Sequence, residues 1–282
     1  MRQSEKVFIT LIISLICILL CIAGSLALGS RSVSPGELID ALFLGKAETF
    51  GQIVVRERIP RTVFSLIAGA ALGISGALMQ AITRNPIADP SVLGVNTGAS
   101  LFVVMGIAFL NIQTAGQYIV LALLGAAITA VFVYGIGSLG AGGATPIKLA
   151  LAGSATSAAL SSFVSAIMLP RSNVMDNFRF WQVGSVSGAN WTNIRAVLPL
   201  LIIGFLISIL LAPVLNAMAL GDEMASVLGV HTGIARAIGA LAGVVLCGAI
   251  TAVAGPIGFV GLMVPHVMRL LLGPDQRIIM PM

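Results

Sequence analysis

The chain has 282 residues, of which 58% are hydrophobic and only 9% are charged. This composition excludes an ordinary soluble domain, in which about a quarter of the residues are charged, and predicts an integral membrane protein. The 15 basic and 10 acidic side chains give a net charge of +5, but they fall in short clusters between long uncharged runs, so they do not form a nucleic-acid-binding stripe.

Long runs without charge predict how often the chain crosses the membrane. A helix needs about 20 apolar residues to span the hydrocarbon core, because lipid offers its backbone no hydrogen-bonding partner. One pass is predicted in each of the runs 7–29, 62–83, 149–170 and 196–221, and two passes in each of the longer runs 90–147, broken near 111–117, and 237–268, broken at Gly255-Pro256. The predicted fold is an all-α, polytopic transmembrane helical bundle with eight visible spans.

The charged residues near these runs leave two interpretations open. With the N-terminus taken as cytoplasmic, basic residues are about equally frequent on both faces, so the positive-inside rule does not decide the orientation. Arg56, Arg58 and Arg61 then lie on the outer face, just before the second span. They either anchor the chain among lipid headgroups or form a docking patch for an acidic partner.

No ionisable residue lies near the middle of the eight predicted segments. A carrier that is driven by a proton or ion gradient usually keeps such a residue inside the membrane to bind the coupling ion. The sequence therefore disfavours a secondary carrier and favours a membrane domain that is driven from outside.

The run 149–170 carries small and hydroxyl side chains on one face, in two rows with a spacing of four residues. The rows are Ala150, Ser154, Ala158, Ser162 and Ala166, and Gly153, Ser157, Ser161 and Ser165. Small rows let helices approach closely in lipid, which is one interpretation. The other is that part of this face lines a polar pathway.

A short sequence occurs twice in the chain. Residues 91–98 (SVLGVNTG) match residues 226–233 (SVLGVHTG) at seven of eight positions, and four predicted passes separate the copies, which places both on the same side of the membrane. Before the second copy, a short surface helix is predicted from Asp222 to Leu228. Its two acidic residues lie near the N-terminal end, where the positive end of the helix dipole stabilises negative charge, and Gly229 is suited to the C-cap. Such a helix between two spans suits a groove on a partner.

An intramembrane serine protease is an alternative of another class. Gly73-Ile74-Ser75-Gly76 fits a short nucleophile pattern, with His231 or His266 as the base. Ser75 is more simply explained as a small packing residue, and His266 as a residue at a helix end.

The sequence contains no G-x-x-x-x-G-K-[ST] phosphate-binding loop, so we expect the chain to bind no nucleotide itself.

Several motifs, in a fixed order along most of the chain, resemble the FecCD family. They are RIPRT at 58–62, GAAL at 69–72, Gly76, Gln80, NPIADP at 85–90, Leu93-Gly94, Gly98-Ala99, ALGD at 219–222, Leu228-Gly229, GPIGFVGL at 255–262, VPH at 264–266 and Arg269. The members of this family are permease subunits of binding-protein-dependent ABC importers for iron-siderophores, haem and cobalamin.

The resemblance implies the partners and the cargo. It implies a dimer of permease subunits, each with ten helices, that carries two cytoplasmic ATPase subunits and receives substrate from an extracytoplasmic binding protein. ATP and magnesium would be used by the ATPase subunits, and this chain would hold no cofactor. The cargo it implies is an iron-siderophore, with haem or cobalamin as the alternatives, carried across the cytoplasmic (inner) membrane.

The resemblance also implies site residues. Arg58 and Arg61 fall where members of the family present arginines to glutamates of the binding protein. Gly221, Asp222, Glu223, Ala225, Leu228 and Gly229 fall on the cytoplasmic helices that couple to the ATPase. Ser154, Ser157 and Ser161 fall on a helix that lines the translocation path. Residues 1–282 are expected to form a single transmembrane permease domain that lacks the last two helices of the family.

Overall fold

The computed structural model describes residues 3–29, 33–45, 48–140 and 143–282, and every regular element in these ranges is helical. The helices are α1 Gln3–Ala27, α2 Pro35–Phe43, α3 Phe50–Thr83, α4 Val95–Phe109, α5 Ala115–Gly137, α6 Pro146–Met168, α7 Ser172–Gln182, α8 Trp191–Ala219, α9 Asp222–Val227, α10 Thr232–Ala254, α11 Val260–Leu272 and α12 Gln276–Ile279. A 3₁₀ turn, Pro90–Leu93, precedes α4.

The predicted all-helical membrane fold is confirmed, but the number of full-length spans differs from the prediction. Within the described residues, six helices are long and apolar enough to cross a membrane: α1, α3, α5, α6, α8 and α10. The two other predicted passes are the shorter apolar helices α4 and α11. Fifteen residues rise about 22 Å at 1.5 Å per residue, which is less than the hydrocarbon thickness of roughly 30 Å.

Side-chain caps fix where several helices begin. Thr49 accepts a hydrogen bond from the backbone N–H of Gln52 before α3, and Thr114 does the same for Gln117 before α5. In both cases the glutamine side chain also returns to the cap backbone, forming a capping box. The Asn190 side chain caps α8 in a similar way. These polar residues lie between the apolar runs and set the ends of the spans.

Helix α10 forms the centre of the bundle and packs against α3, α5 and α8. Small residues on α10 allow this close packing. A Cβ added at Gly243 would lie 2.4 Å from the Cε atom of Met79 on α3. Ser75 of α3 is fully buried beside it, and its hydroxyl donates to the Gly243 carbonyl at 2.6 Å. The packing role predicted for Ser75 therefore agrees with the structure.

The short helices α4 and α11 both begin at membrane depth. A Cβ added at Gly94, just before α4, would meet Thr129 on α5 and Ser157 on α6. Thr129 lies about 12 Å along α5 from Gly137, and Ser157 lies about 16 Å along α6 from Pro146. Gly137 and Pro146 are the helix ends that meet the α5–α6 connection. The segment after α3 therefore turns back into the membrane before α4 starts.

This re-entrant segment brings an acidic residue into the membrane. The carboxylate of Asp89 would be 3.3 Å from a Cβ added at Gly261, and the Leu72 carbonyl of α3 would be 3.0 Å from the same point. Asp89 caps the 3₁₀ turn by accepting from the Ser91 N–H at 2.9 Å. This placement of Asp89 was not predicted, because the sequence alone did not reveal that the connection re-enters the bilayer. Asp89 precedes the run 90–147, so the prediction that the middle of each segment has no ionisable residue is not contradicted.

Candidate functional site

The predicted surface helix is present between α8 and α10. It extends over Asp222–Val227, with Leu228 as the C-cap residue, and Gly221 and Gly229 flank it with φ angles of +113° and +82°. Glycine adopts such angles without the steric cost that a Cβ would add. The Val230 N–H donates to the Ala225 carbonyl and the Gly229 N–H to the Ser226 carbonyl, both at 2.9 Å. These bonds close the helix as a glycine C-terminal motif.

Asp222 is the centre of an ion-pair network that joins five parts of the chain. Arg236 Nη2 of α10 donates to both carboxylate oxygens, at 3.0 and 3.1 Å, and Arg84 after α3 also pairs with Asp222. Arg84 Nε donates to the Met218 carbonyl of α8 at 3.0 Å, and Arg236 Nη1 to the Ala144 carbonyl at 3.1 Å. The network thus ties α9 to the ends of α3, α8 and α10 and to the α5–α6 connection.

The electrostatics of Asp222 follow from this arrangement. Partial burial by itself raises the pKa of the Asp222 carboxyl group. The hydrogen bonds and charge of Arg236, with the charge of Arg84, outweigh that effect, and the net pKa is lowered from its ordinary value. Asp222 is therefore ionised at neutral pH, and Arg236, whose side chain is only 5% exposed, has a counter-ion.

The outer side of α9 presents apolar side chains to the surroundings. Met224, Val227 and Leu228 are exposed, with Val227 at 81%, whereas Ala225 is fully buried against the bundle. Glu223 is exposed beside them. The segment therefore offers a small apolar surface with acidic residues at its beginning, on a base held by the Asp222 network.

The two copies of the repeated sequence share a local structure but lie in different environments. Gly94 and Gly229 occupy the same place in the copies, and both have left-handed backbone angles, +71° and +82°. Each follows a short helical turn and precedes a longer helix. The first copy lies inside the membrane because its preceding segment re-enters, whereas the second lies at the α9 surface. The pairing of Arg84 with Asp222 places the chain before the two copies at one end of the bundle, and the prediction that both copies lie on the same side of the membrane stays a prediction.

Arg58 and Arg61 have different environments near the start of α3. Arg58 is buried, at 4% exposure, and its Nη1 donates to the Leu26 carbonyl at 2.8 Å and to the Ala27 carbonyl at 3.2 Å. These carbonyls end α1, so Arg58 satisfies groups that the helix leaves without partners. Arg61 is half-buried and Arg56 is exposed. In this conformation, only these last two can present their charge to a partner.

The three serines predicted on the pathway lie on α6 but differ in surroundings. Ser154 and Ser161 are exposed, and Ser157 is half-buried beside Gly94. The Ser154 hydroxyl donates to the Ala150 carbonyl at 2.8 Å, within its own helix. On the adjoining face, Gly153 packs so closely that an added Cβ would lie 1.6 Å from the Val92 carbonyl. Close packing therefore accounts for the Gly153 side of α6, and the pathway role of the serines stays a prediction.

Three polar contacts inside the bundle were not predicted from the sequence. Asn96 accepts a hydrogen bond from the Thr251 hydroxyl at 2.9 Å, although 155 residues separate them. Gln80 Nε2 donates to the Gly261 carbonyl at 3.2 Å, and Arg269 donates to Gln80 Oε1. One signal was available for Asn96, because it is the single position at which the two copies of the repeat differ.

Comparisons with known proteins agree with this architecture. The FecCD transport family matches residues 15–282. The chain is 41% identical over 268 residues to the ferric enterobactin transport system permease protein FepD of Escherichia coli (strain K12), an alignment that covers 95% of this chain and 80% of that protein. It is 38% identical over 282 residues to the Fe(3+)-citrate import system permease protein YfmD of Bacillus subtilis (strain 168), covering 99% and 83%.

A solved structure has the same fold. It is described as an inward-facing conformation of an ABC transporter assigned to the metal-chelate type, and it superposes with a TM-score of 0.82 at 24% sequence identity. The match covers 99% of this chain and 85% of that one. With the family match extending over nearly all of its length, this chain belongs to the FecCD transport family of ABC permeases.

Proposed function

We propose that this chain is the membrane permease subunit of an ATP-driven importer that moves an iron-siderophore across the cytoplasmic membrane after delivery by a binding protein. The observation that carries the proposal is α9, a short helix with an exposed apolar face on a base of ion pairs. Arg84, Met218, Ala144 and Arg236 connect this base to three spans and to the α5–α6 connection. A force applied to α9 would therefore act on several helices together.

The proposed partners are those that membership of the FecCD family suggests. Two ATPase subunits bind ATP and magnesium, and one of them receives α9 together with the turns around Gly221 and Gly229. A second permease subunit completes the path, and an extracytoplasmic binding protein delivers the substrate. The chain itself catalyses no reaction, and its contribution is the rigid-body motion of packed helices that ATP binding by the partner drives.

The orientation is part of the proposal. The N-terminus and α9 are cytoplasmic, and the start of α3 faces the binding protein. The pairing of Arg84 with Asp222 supports placing the end of α3 and the start of α9 on one side of the bundle. For docking of the binding protein, Arg61 is the better candidate, because the guanidinium group of Arg58 donates hydrogen bonds to the carbonyls at the end of α1.

The substrate class is drawn from relatives that are named for their cargo. Besides ferric enterobactin and Fe(3+)-citrate, they include the iron(3+)-hydroxamate import system permease protein FhuB of Bacillus subtilis (strain 168), at 36% identity. The cobalamin import system permease protein BtuC of Halobacterium salinarum (strain ATCC 700922 / JCM 11081 / NRC-1), at 37% identity, keeps cobalamin as the alternative cargo. Haem is a further alternative.

Reconstitution of the permease with its ATPase and binding protein in liposomes tests the function. We expect ATP-dependent uptake of an iron-siderophore that stops without ATP, without the binding protein or without either subunit. Uptake that is driven by an ion gradient without the ATPase would overturn the proposal, as would ATP hydrolysis by the purified permease alone. The protease alternative is tested by a serine-directed probe, with which we expect no labelling because Ser75 is buried and bonded to Gly243.

A further inference from the structure

A groove with polar walls lies at the side of the bundle, where α4, α6, α7 and the segment after α10 meet. Its volume is about 280 Å³. Its polar lining residues are Asn96, Thr97, Ser100, Ser161, Ser165 and Gln182, and none of its lining residues is charged. The groove is open on one side, so it could hold one edge of a ligand that other surfaces complete.

The depth of this groove makes its polarity informative. Asn96 follows Gly94 and Val95, whose neighbours include Thr129 in the interior of α5 and Gly248 in the interior of α10. Polar side chains at this depth are costly against lipid, and they face the bundle interior or a water-filled cavity. We therefore expect the polar wall of the groove to face a water-filled space or a partner rather than lipid.

Its hydrogen-bond donors are held in place and available. The amide oxygen of Asn96 accepts from the Thr251 hydroxyl at 2.9 Å, which fixes the orientation of the side chain. Among the described residues, no hydrogen bond is made by Asn96 Nδ2 or by the hydroxyls of Thr97 and Ser161. Two N–H donors and two hydroxyls are thus presented to one groove, on two neighbouring helices.

The repeated sequence isolates Asn96 as a special position. The two copies are identical except here, where the surface copy has His231. A histidine at membrane depth would bring a group that gains a charge near neutral pH, whereas asparagine keeps donors and acceptors without charge. The copy that borders the groove is thus the copy that has asparagine in place of histidine.

We propose that this groove is a binding subsite for an uncharged, oxygen-rich edge of the transported metal chelate, with Asn96 Nδ2 and the Ser161 hydroxyl as its donors. The proposal rests on the proposed function and extends it to the substrate class. A ferric tris-hydroxamate carries no net charge, because three hydroxamate anions balance Fe(3+), and its carbonyl and N–O oxygens can accept hydrogen bonds. A ferric tris-catecholate carries three negative charges, and the groove offers no cation to compensate them.

The first experiment measures occupancy directly. In the assembled importer, with Cys17 and Cys21 replaced by serine, Ser161→Cys is labelled with a water-soluble maleimide during turnover. We expect a ferric tris-hydroxamate to slow the labelling at least five-fold and a ferric tris-catecholate to have a smaller effect. Equal labelling with and without either chelate would overturn the subsite. Stronger protection by the tris-catecholate would overturn its preference for uncharged ligands.

The second experiment measures transport against ATP hydrolysis. Ser161→Val and Asn96→Leu each remove one donor, and we expect about five-fold less chelate imported per ATP, the effect of one hydrogen bond of about 1 kcal/mol. Ser162→Val is the matched control, because Ser162 lies one residue further on α6 and its hydroxyl is bonded to the Ala158 carbonyl. Since Asn96→Leu also removes the partner of Thr251, Ser161→Val decides the result if the asparagine variant fails to fold.

The outcomes separate this inference from the function on which it rests. If the unmodified importer carries no iron-siderophore, both the proposed function and the subsite are overturned, whereas transport of other iron-siderophores without the tris-hydroxamate overturns the subsite alone. If it carries the tris-hydroxamate while Ser161→Val keeps the unmodified ratio of transport to ATP hydrolysis, only the subsite is overturned. A loss in Ser162→Val equal to that in Ser161→Val would also overturn it, because the effect would then belong to the packing of α6.

Discussion

Arg236 Nη2 donates to both carboxylate oxygens of Asp222, at 3.0 and 3.1 Å, and thereby joins the N-terminal part of α10 to the first turn of α9. Arg236 is almost fully buried, whereas nearly half of the Asp222 side chain is exposed. Removing the carboxylate would leave a buried guanidinium with only the Ala144 carbonyl as a partner. The pair therefore matters more for the position of α9 than an exposed ion pair would.

We expect Asp222→Ala to lower the free energy of unfolding by about 1–3 kcal/mol, because it removes charge-assisted hydrogen bonds from Arg236 and Arg84. Thermal unfolding of the purified permease in detergent measures this change. Glu223→Ala is the control, since Glu223 is exposed on the same helix. A loss of stability in Glu223→Ala as large as that in Asp222→Ala would contradict the role assigned to Asp222.

The same network predicts a dependence of stability on pH. The folded-state pKa of Asp222 is lowered, so its contribution to stability is complete above the ordinary carboxyl pKa of about 4 and is lost as the pH falls through the lower folded-state value. We expect the difference in melting temperature between the unmodified protein and Asp222→Ala to be constant from pH 7 to 5 and to shrink below pH 4. A difference that grows on acidification would contradict this sign.

Arg58 and Arg61 are expected to give different phenotypes. Arg58→Ala should lower the thermal stability, because the Leu26 and Ala27 carbonyls lose their donor. Arg61→Glu should leave stability nearly unchanged and weaken binding of the binding protein, with the largest effect at low ionic strength. Titration of the binding protein at two salt concentrations measures this effect, and Arg195→Glu, at an exposed position near the start of α8, is the control.

Two glycines of α3 provide a matched pair for the contact between α3 and α11. A Cβ added at Gly76 would lie 1.8 Å from the Gly261 carbonyl, whereas nothing lies within 4 Å of one added at Gly69. We expect Gly76→Ala to force α11 away and to lower stability by at least about 1–3 kcal/mol. Gly69→Ala should keep or slightly raise stability, because alanine is favoured over glycine in helices. Equal melting temperatures for the two variants would contradict the close contact.

The sequence predicted the elements that depend on local composition. The apolar runs gave the helical membrane fold, and the two acidic residues with Gly229 gave α9 to within one residue. It could not predict that 85–94 re-enters the membrane, because the depth of Gly94 is set by its fit against Thr129 and Ser157, which are distant in the chain. For the same reason, the burial of Arg58 was missed. Its partners are backbone carbonyls of α1, and no pattern of side chains in the sequence indicates such partners.

The final prediction concerns Gln80, which connects α3 to both ends of α11. Its amide donates to the Gly261 carbonyl at 3.2 Å, its oxygen accepts from Arg269, and its side chain is 3% exposed. Gln80→Met keeps the length of the side chain but leaves these polar groups without partners, so we expect a loss of about 1–3 kcal/mol in stability and a lower ratio of transport to ATP hydrolysis. Gln80→Glu should retain the contact with Arg269 and recover part of the loss. If Gln80→Met melts at the temperature of the unmodified protein, the bridge does not hold α11, and the packing of this short helix against α3, including the contact between Gly76 and Gly261, positions it instead.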